Sequence, residues 1–185
     1  MPKDKADRES GAIRPQYEEY GVEGYYTRFG SEYRNPHEPI IREVLRAAFE
    51  RWHLDLTRVL DLACGSGEVT LALRELGCPE LDGIDPHTGE AYLTRTGRRA
   101  ETFSFEQIAG GALDGRRYSL VVCSFGLHLI EVSWLPSLLA RLGSISNRLL
   151  VVTPHKRPAI KSEWGWTLED ELVIDRVRAR IYRRI

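Results

Sequence analysis

The sequence of 185 residues has few cysteines, and their arrangement predicts neither a disulfide framework nor a metal site. Cys64, Cys78 and Cys123 form no CxxC pair and have no metal-ligand spacing with histidine. An odd number of cysteines outside any framework is typical of proteins kept in a reducing compartment. We therefore expect a cytoplasmic protein with free thiols and no bound metal.

Long apolar runs and an excess of charge of either sign are also missing. No window approaches the roughly 18 consecutive apolar residues of a membrane-spanning helix. The charged, polar N-terminus lacks the apolar core of a secretory signal. The formal net charge is −1, so no overall positive field would gather nucleic acid or an anionic membrane. These absences argue against membrane association and against nucleic acid as a partner.

Three regions of the chain differ in composition. Residues 1–16 are charged and poor in aliphatic side chains, which predicts a disordered leader. Residues 17–38 are rich in tyrosine, glycine and charge without core periodicity, and we expect an N-terminal arm or lid there. From residue 39 apolar side chains recur at helical spacing. Residues 39–185 have the length and composition of one globular domain.

Within this domain, short apolar runs alternate with helical patterns. Strands are predicted at residues 58–63, 81–85, 102–105, 118–124 and 147–153. Helices are predicted at residues 68–76, 88–96 and 135–142. Apolar strands separated by helices are typical of a parallel sheet that is covered on both faces. The sequence therefore predicts an α/β, doubly wound fold with a mostly parallel sheet.

The C-terminal residues depart from that alternation. Residues 166–173 and 176–182 both alternate with period two and are separated by two residues, which predicts an antiparallel hairpin. A symmetric turn places two glutamates opposite two arginines, in the pairs Glu171–Arg178 and Glu169–Arg180. Such pairs would neutralise part of the C-terminal arginine cluster. This is a second argument against a nucleic-acid-binding surface.

The strongest motif lies between the first strand and the first helix, where the chain reads DLACGSG from Asp61 to Gly67. Its AxGxG spacing differs from the GxGxxG of dinucleotide enzymes. Glycines allow the backbone to approach a ligand closely, and the following helix start presents unpaired N–H groups. Asp85 ends the second strand at about the 20-residue offset at which nucleotide-binding folds hold ribose hydroxyls. Both features lie at carboxyl ends of strands, where α/β sheets bind ligands.

On these residues the sequence resembles the class I S-adenosylmethionine-dependent methyltransferases. The resemblance covers about residues 39–182 and rests on four segments in order: VLDLACGSGEVT (59–70), LDGIDPH (81–87), FSFEQIA (103–109) and YSLVVCSFGLHLIE (118–131). It implies a Rossmann-like sheet of seven strands in which the hairpin supplies strands six and seven. It also implies S-adenosylmethionine as cofactor and methyl transfer as the activity.

The resemblance further implies roles for single residues. Around the methionine portion of the cofactor it places Asp61, Ala63, Gly65 and Gly67, with Ala63 replacing the first glycine of the family. Asp85, followed by Pro86, would hold the ribose hydroxyls, and Glu106 would lie near the adenine amine. Ser124 and Phe125 would border the sulfonium and the acceptor.

Candidates for contact with the reacting groups come from the arm and from the segment after the fourth strand. Tyr25 is expected to line the lid, and Arg34 to pair with the cofactor carboxylate. Their alternative role is that of anchors for an N-terminal arm. His128 and His37 are the catalytic candidates, because a neutral imidazole can accept a proton from the acceptor. The alternative for His128 is a packing role at the start of a helix.

The predicted activity is methyl transfer to a small-molecule acceptor. The segment after the fourth strand contains no (N/D)PP(Y/F) motif, and Ser124 stands there instead of an acidic residue. Two alternatives stay open: an RNA or protein methyltransferase that works with a partner subunit, and a non-catalytic cofactor-binding module. The short linker PHKRPAIKSEWG before the hairpin leaves no room for a helix. One face of strands five to seven is therefore open to the arm, to a partner or to self-association.

Overall fold

A computed structural model describes residues 33–185, so the predicted leader and most of the arm lie outside the described residues. The helices of this part are α1 (Glu38–Trp52), α2 (Glu68–Glu75), α3 (Gly89–Thr96), α4 (Phe105–Ala109) and α5 (Leu135–Ile145). The strands are β1 (Arg58–Leu62), β2 (Glu80–Ile84), β3 (Leu120–Ser124), β4 (Arg148–Thr153), β5 (Trp166–Ile174) and β6 (Val177–Arg184). Short 3-10 helices follow β3 and precede β5, at Leu127–Leu129, Val132–Trp134 and Ser162–Trp164.

The strands form one mixed sheet in the order β2-β1-β3-β4-β6-β5. The first four strands of that order run parallel, and β6 joins β4 antiparallel, with β5 completing the hairpin at the edge. The predicted α/β doubly wound fold with a C-terminal antiparallel hairpin is confirmed. Because the parallel strands share one direction, the loops after β1, β2 and β3 all meet at the same edge of the sheet.

The third predicted strand, at residues 102–105, does not form. Only a single parallel bridge joins Ile84 to Glu101, through hydrogen bonds of 2.9 Å on either side of Glu101. Ser104 then begins α4 with a capping box, since its hydroxyl accepts from the Gln107 N–H and the Gln107 side chain accepts from the Ser104 N–H. The helix start takes the residues that the strand would need. The sheet of the described residues therefore has six strands instead of the predicted seven.

The hairpin forms with a register different from the predicted one. Its turn lies one residue later, at Asp175 and Arg176, which both adopt positive φ. Glu171 consequently faces Arg180 instead of Arg178. A β-bulge between Leu168 and Asp170 shifts the pairing again. The sequence alone could not show this extra residue, because the segments on either side of a bulge still alternate with period two.

Two apolar clusters fill the space on either side of the sheet. On one side α5 packs with Trp166 and Tyr182, and on the other α1 and α2 pack against the strands. The face of the hairpin that the sequence left open is covered in part by α1, which contacts β6 and β5. Asp170 of β5 accepts hydrogen bonds from Arg51 (2.8 Å) and Trp52 (2.9 Å) of α1. None of the described helices is both long and apolar enough to cross a membrane.

Candidate active site

The loop after β1 carries the predicted glycine motif and contains three residues with left-handed backbone. Ala63 has a φ of 59°, Gly65 of 54° and Gly67 of 93°. The Cys64 N–H donates to the carbonyl of Ile84 (3.0 Å), which ties the loop to the end of β2. A left-handed alanine costs about 1–2 kcal/mol. Ala63 therefore adopts, at a modest cost in free energy, a backbone conformation that glycine adopts freely.

Asp85 joins this loop to the loop after β2. Its carboxylate accepts hydrogen bonds from the backbone N–H groups of Gly65 (3.2 Å), His87 (2.9 Å) and Thr88 (3.1 Å). The Thr88 hydroxyl donates back to the carbonyl of Gly65 (2.7 Å). A carboxylate offers about four acceptor positions. Asp85 thus keeps acceptor capacity toward the cavity that it lines while it fixes both loops.

A cavity of about 180 Å³ lies at this edge of the sheet, between the loops after β1, β2 and β3 and the starts of α1 and α4. It brings together seven of the predicted cofactor residues: Ala63, Gly65, Asp85, Pro86, Glu106, Ser124 and Phe125. The wall also contains residues without a predicted role, among them Asn35, Glu68, Phe103 and Leu129. Glu68 had a sequence signal, because it follows the last glycine of the motif directly.

Two residues of the predicted set, Asp61 and Gly67, lie behind the cavity wall. Asp61 at the end of β1 is fully buried, and its Oδ2 accepts from the Thr70 hydroxyl (2.7 Å), which is itself 3.0 Å from the Tyr92 hydroxyl. Within residues 33–185, Asp61 Oδ1 has no hydrogen-bond partner. Gly67 packs against Thr96 and Tyr92 of α3. The structure thus gives Gly67 a packing role, while cofactor contact by either residue stays a prediction.

Asp61 makes the stability of the protein depend on pH. Burial raises the pKa of Asp61 to about 7, against the opposing hydrogen bond from Thr70. The carboxyl of the unfolded chain titrates at a pKa of about 3.9. Ionisation between these values is therefore easier in the unfolded state, and stability falls as pH rises from about 4 to about 7. We expect Asp61→Asn to raise the free energy of unfolding more at pH 8 than at pH 5.

Urea denaturation of both proteins at the two pH values measures this difference. The matched control is Asp82→Asn on β2, which should show no comparable gain at pH 8. Asp82 is half-exposed and bonded to Arg58 and Tyr118, and so carries no such burial cost. If Asp61→Asn changed the free energy of unfolding equally at both pH values, the prediction that burial raises the pKa of Asp61 would be wrong.

The remaining predicted contacts are distributed around the cavity or beyond the described residues. Tyr25 lies outside residues 33–185. Arg34 is exposed and donates to the carbonyl of Tyr33 (2.7 Å). His37 is exposed and stacks on Phe125, with ring centroids 5.0 Å apart. The structure therefore brings His37 to a residue of the wall, but it does not bring Arg34 into the cavity.

His128 lies in the 3-10 helix after β3 and is exposed to solvent. Its ring centroid is 4.5 Å from that of His155, which follows β4. Desolvation, and then the nearby His155, lower the pKa of His128 to about 4. The imidazole is consequently neutral at physiological pH and able to accept a proton, although a base of such low pKa has little driving force. His128 is absent from the cavity wall, and its catalytic role stays a prediction.

The donors and acceptors around the cavity fit S-adenosylmethionine. Ser124 is buried, lines the cavity, and its hydroxyl has no hydrogen-bond partner within the described part of the chain. Asp85 keeps an acceptor position open for a ribose hydroxyl. Gly65 has no side chain to fill the space beside Tyr33, and a Cβ there would lie 3.2 Å from the tyrosine ring. Phe103 and Phe105 add apolar surface suited to a flat base.

The fold and this site define an α/β methyltransferase. Residues 31–184 match the family described as a methyltransferase domain, and the chain belongs to that family. It is a class I methyltransferase, and S-adenosylmethionine is the cofactor of that class. The resemblance drawn from the four sequence segments is confirmed.

The chain is also similar to individual proteins, one in sequence and others in fold. An uncharacterized protein of Schizosaccharomyces pombe is 34% identical, over 93% of this chain and 92% of its own length. The fold is similar to that of magnesium protoporphyrin IX methyltransferase from Synechocystis PCC 6803 with bound cofactor (18% identity, TM-score 0.59, 100% of this chain and 99% of the other). It is also similar to that of a putative RNA methyltransferase from Pyrococcus horikoshii (15% identity, TM-score 0.59, 79% and 83%).

Proposed function

We propose that this methyltransferase transfers the methyl group of S-adenosylmethionine to a small-molecule acceptor. The observation that carries the proposal is the pairing of C-terminal arginines with two glutamates, which weakens this arginine-rich segment as a surface for nucleic acid. Arg180 is paired with Glu171 (2.6 Å) and Arg183 with Glu169 (2.9 Å). Glu169 also pairs with Arg148 of β4. Charges that are neutralised in this way contribute little to phosphate binding.

Each residue of the cavity would contact a different part of the cofactor or of the acceptor. Asp85 would accept a hydrogen bond from the ribose, and Glu106 would lie near the adenine amine. Ser124 and Phe125 would border the sulfonium and the acceptor. When bound, S-adenosylmethionine supplies a methyl group activated by its sulfonium. Orientation of the acceptor and exclusion of water then account for much of the barrier lowering, on the order of 7–11 kcal/mol in favourable geometries. Leu129 and Phe125, on which the exposed His37 stacks, would border the acceptor.

Labelled methyl transfer tests the class of acceptor. The purified protein is incubated with tritium-labelled S-adenosylmethionine and, separately, with the small-molecule, RNA and protein fractions of a cell extract. We expect label to enter the small-molecule fraction, and no label with Asp85→Ala as the inactive control. Label confined to RNA or protein would contradict the proposal.

A partner-assisted protein methyltransferase is the second candidate, because two apolar side chains are exposed a few residues after the cavity residue Leu129. Val132 is 71% and Trp134 40% exposed, in the 3-10 helix that precedes α5. Exposed apolar side chains close together are typical of protein-binding surfaces. If labelling of the protein fraction is lost with Val132→Ser and Trp134→Ser while S-adenosylhomocysteine binding persists, this second candidate is favoured.

A further inference from the structure

A cluster of one arginine and two glutamates lies at the cavity wall, to which Glu68 belongs. Arg95 of α3 donates through Nη2 to both carboxylate oxygens of Glu38 (2.8 Å each) and through Nη1 to Glu68 (3.1 Å). Glu68 is almost completely buried, and the side chain of Arg95 is only 17% exposed. Charge-assisted hydrogen bonds in such a partly dry setting are stronger than those at the surface. We call these three residues the Arg95 cluster.

The Arg95 cluster joins three helices, two of which, α1 and α2, line the cofactor cavity with their first turns. Arg95 belongs to α3, Glu68 is the first residue of α2 directly after the glycine loop, and Glu38 is the first residue of α1. Glu68 also accepts a hydrogen bond from the hydroxyl of Ser66 within that loop. The guanidinium of Arg95 thereby links the start of α1 to the glycine loop.

The entry segment, residues 33–37, depends on this attachment. The Asn35 N–H donates to Glu68 Oε1 (3.2 Å), and the Asn35 carbonyl accepts from the Glu38 N–H (3.2 Å). Tyr33 and Asn35 both line the cavity. The Tyr33 ring lies over the glycine loop, 3.2 Å from the position that a Cβ of Gly65 would occupy. The entry segment therefore forms one wall of the cavity, and its backbone is bonded directly to the Arg95 cluster.

Removal of the guanidinium would leave two carboxylates without their shared cation. Burial opposes ionisation of Glu38, yet hydrogen bonds from Arg95 and Arg42 hold the pKa of Glu38 below its ordinary value. Glu38 would keep its bond to Arg42 (3.0 Å). Glu68 would remain buried without a cation, and such a charge is costly unless the structure opens to admit water. The part able to move is the entry segment, since Glu68 itself is held within the first turn of α2.

We propose that Arg95 is a positioning residue that, through Glu68 and Glu38, holds the entry segment against the glycine loop and thereby sets the affinity for S-adenosylmethionine. The inference rests on the cofactor site described above and goes beyond it, because Arg95 does not line the cavity. If the entry segment is in place only a tenth of the time, the apparent Kd rises about tenfold. Affinity is then lost without the loss of any residue that contacts the cofactor.

The test compares Arg95→Met with Arg99→Met. Arg99 is an exposed arginine just after α3 that makes no ion pair within residues 33–185, so its replacement removes the same charge without disturbing the Arg95 cluster. Calorimetric titration gives the Kd of S-adenosylhomocysteine, and hydrogen exchange follows the backbone N–H of Asn35. For Arg95→Met we expect a Kd about tenfold higher and an Asn35 amide that exchanges about tenfold faster. Arg99→Met should leave both unchanged.

Two further variants separate positioning from a general loss of stability. Arg95→Lys keeps a cation that can reach one carboxylate, and should fall between wild type and Arg95→Met. Glu68→Gln removes the buried charge that would open the structure, so adding it to Arg95→Met should restore part of both the stability and the affinity. A lower Tm of Arg95→Met with an unchanged Kd and unchanged Asn35 exchange would overturn the proposal. Failure of the wild type to bind S-adenosylhomocysteine would instead overturn the cofactor site itself.

If Arg95→Met does not fold, the comparison of Arg95→Lys with Arg99→Lys decides the question. Both changes keep a positive charge, and only the first removes the guanidinium that contacts two carboxylates. A higher Kd together with faster Asn35 exchange in Arg95→Lys alone supports the positioning role. Equal values in the two variants would overturn it.

Discussion

Replacement of Asp85 by alanine is expected to raise the Kd of S-adenosylhomocysteine by about a hundredfold or more. A hydrogen bond to a charged group contributes about 1.5–3 kcal/mol, so the loss of one ribose contact alone raises the Kd by about ten- to a hundredfold. The same change removes the acceptor for the N–H groups of Gly65, His87 and Thr88. The glycine loop and the loop after β2 then lose their common attachment, which adds to the loss of affinity.

Calorimetric titration of Asp85→Ala, Asp85→Asn and Asp82→Ala separates these two contributions. Asparagine retains one oxygen that can accept from His87 and Thr88, but its amide cannot accept from a ribose hydroxyl. Asp82 lies on β2, three residues before Asp85, and is bonded to Arg58 (3.3 Å) and the Tyr118 hydroxyl (2.9 Å), away from the cavity. We expect weak binding in both Asp85 variants and normal binding in Asp82→Ala. Normal binding by a folded Asp85→Ala would remove Asp85 from the cofactor site.

Asp85 also shows why so much of the site was predictable from the sequence. The carboxyl ends of parallel strands meet at one edge, so a motif after one strand and an acidic residue after the next must be neighbours in space. The apolar runs predicted which segments form strands, and the helical patterns between them indicated that these strands are parallel. Ala63, Gly65, Asp85 and Ser124 were therefore placed in one cavity without knowledge of any distance.

Features that depend on side-chain direction were less predictable. Asp61 belongs to the same motif as Gly65, yet its side chain points to the opposite side of the loop and bonds to Thr70. Period-two alternation could not show the bulge after Leu168, and the residues after Glu101 have strand-like composition while Ser104 caps a helix. The role of Arg95 had no sequence signal, because its partners lie 27 and 57 positions away along the chain.

The contact between the glycine loop and α3 leads to a prediction about stability. Gly67 has a φ of 93°, and a Cβ added to it would lie 2.4 Å from Thr96 Cγ2. We expect Gly67→Ala to lower the free energy of unfolding by about 3 kcal/mol, the sum of about 1–2 kcal/mol for the left-handed backbone and about 1–3 kcal/mol for overpacking. Urea denaturation of the cofactor-free protein measures this loss.

Gly77 provides the matched control for that prediction. Its φ of 89° is nearly the same as that of Gly67, but a Cβ there would meet no atom within 4 Å. Gly77→Ala should therefore lose only the backbone contribution of about 1–2 kcal/mol. Adding Thr96→Ser to Gly67→Ala removes the clashing methyl group while the hydroxyl that donates to the Tyr92 carbonyl (2.8 Å) remains. This double variant should recover part of the loss, because the steric conflict is gone and the strained backbone is not. Equal losses for Gly67→Ala and Gly77→Ala, with no recovery by Thr96→Ser, would show that close packing of α3 on the loop contributes nothing to stability.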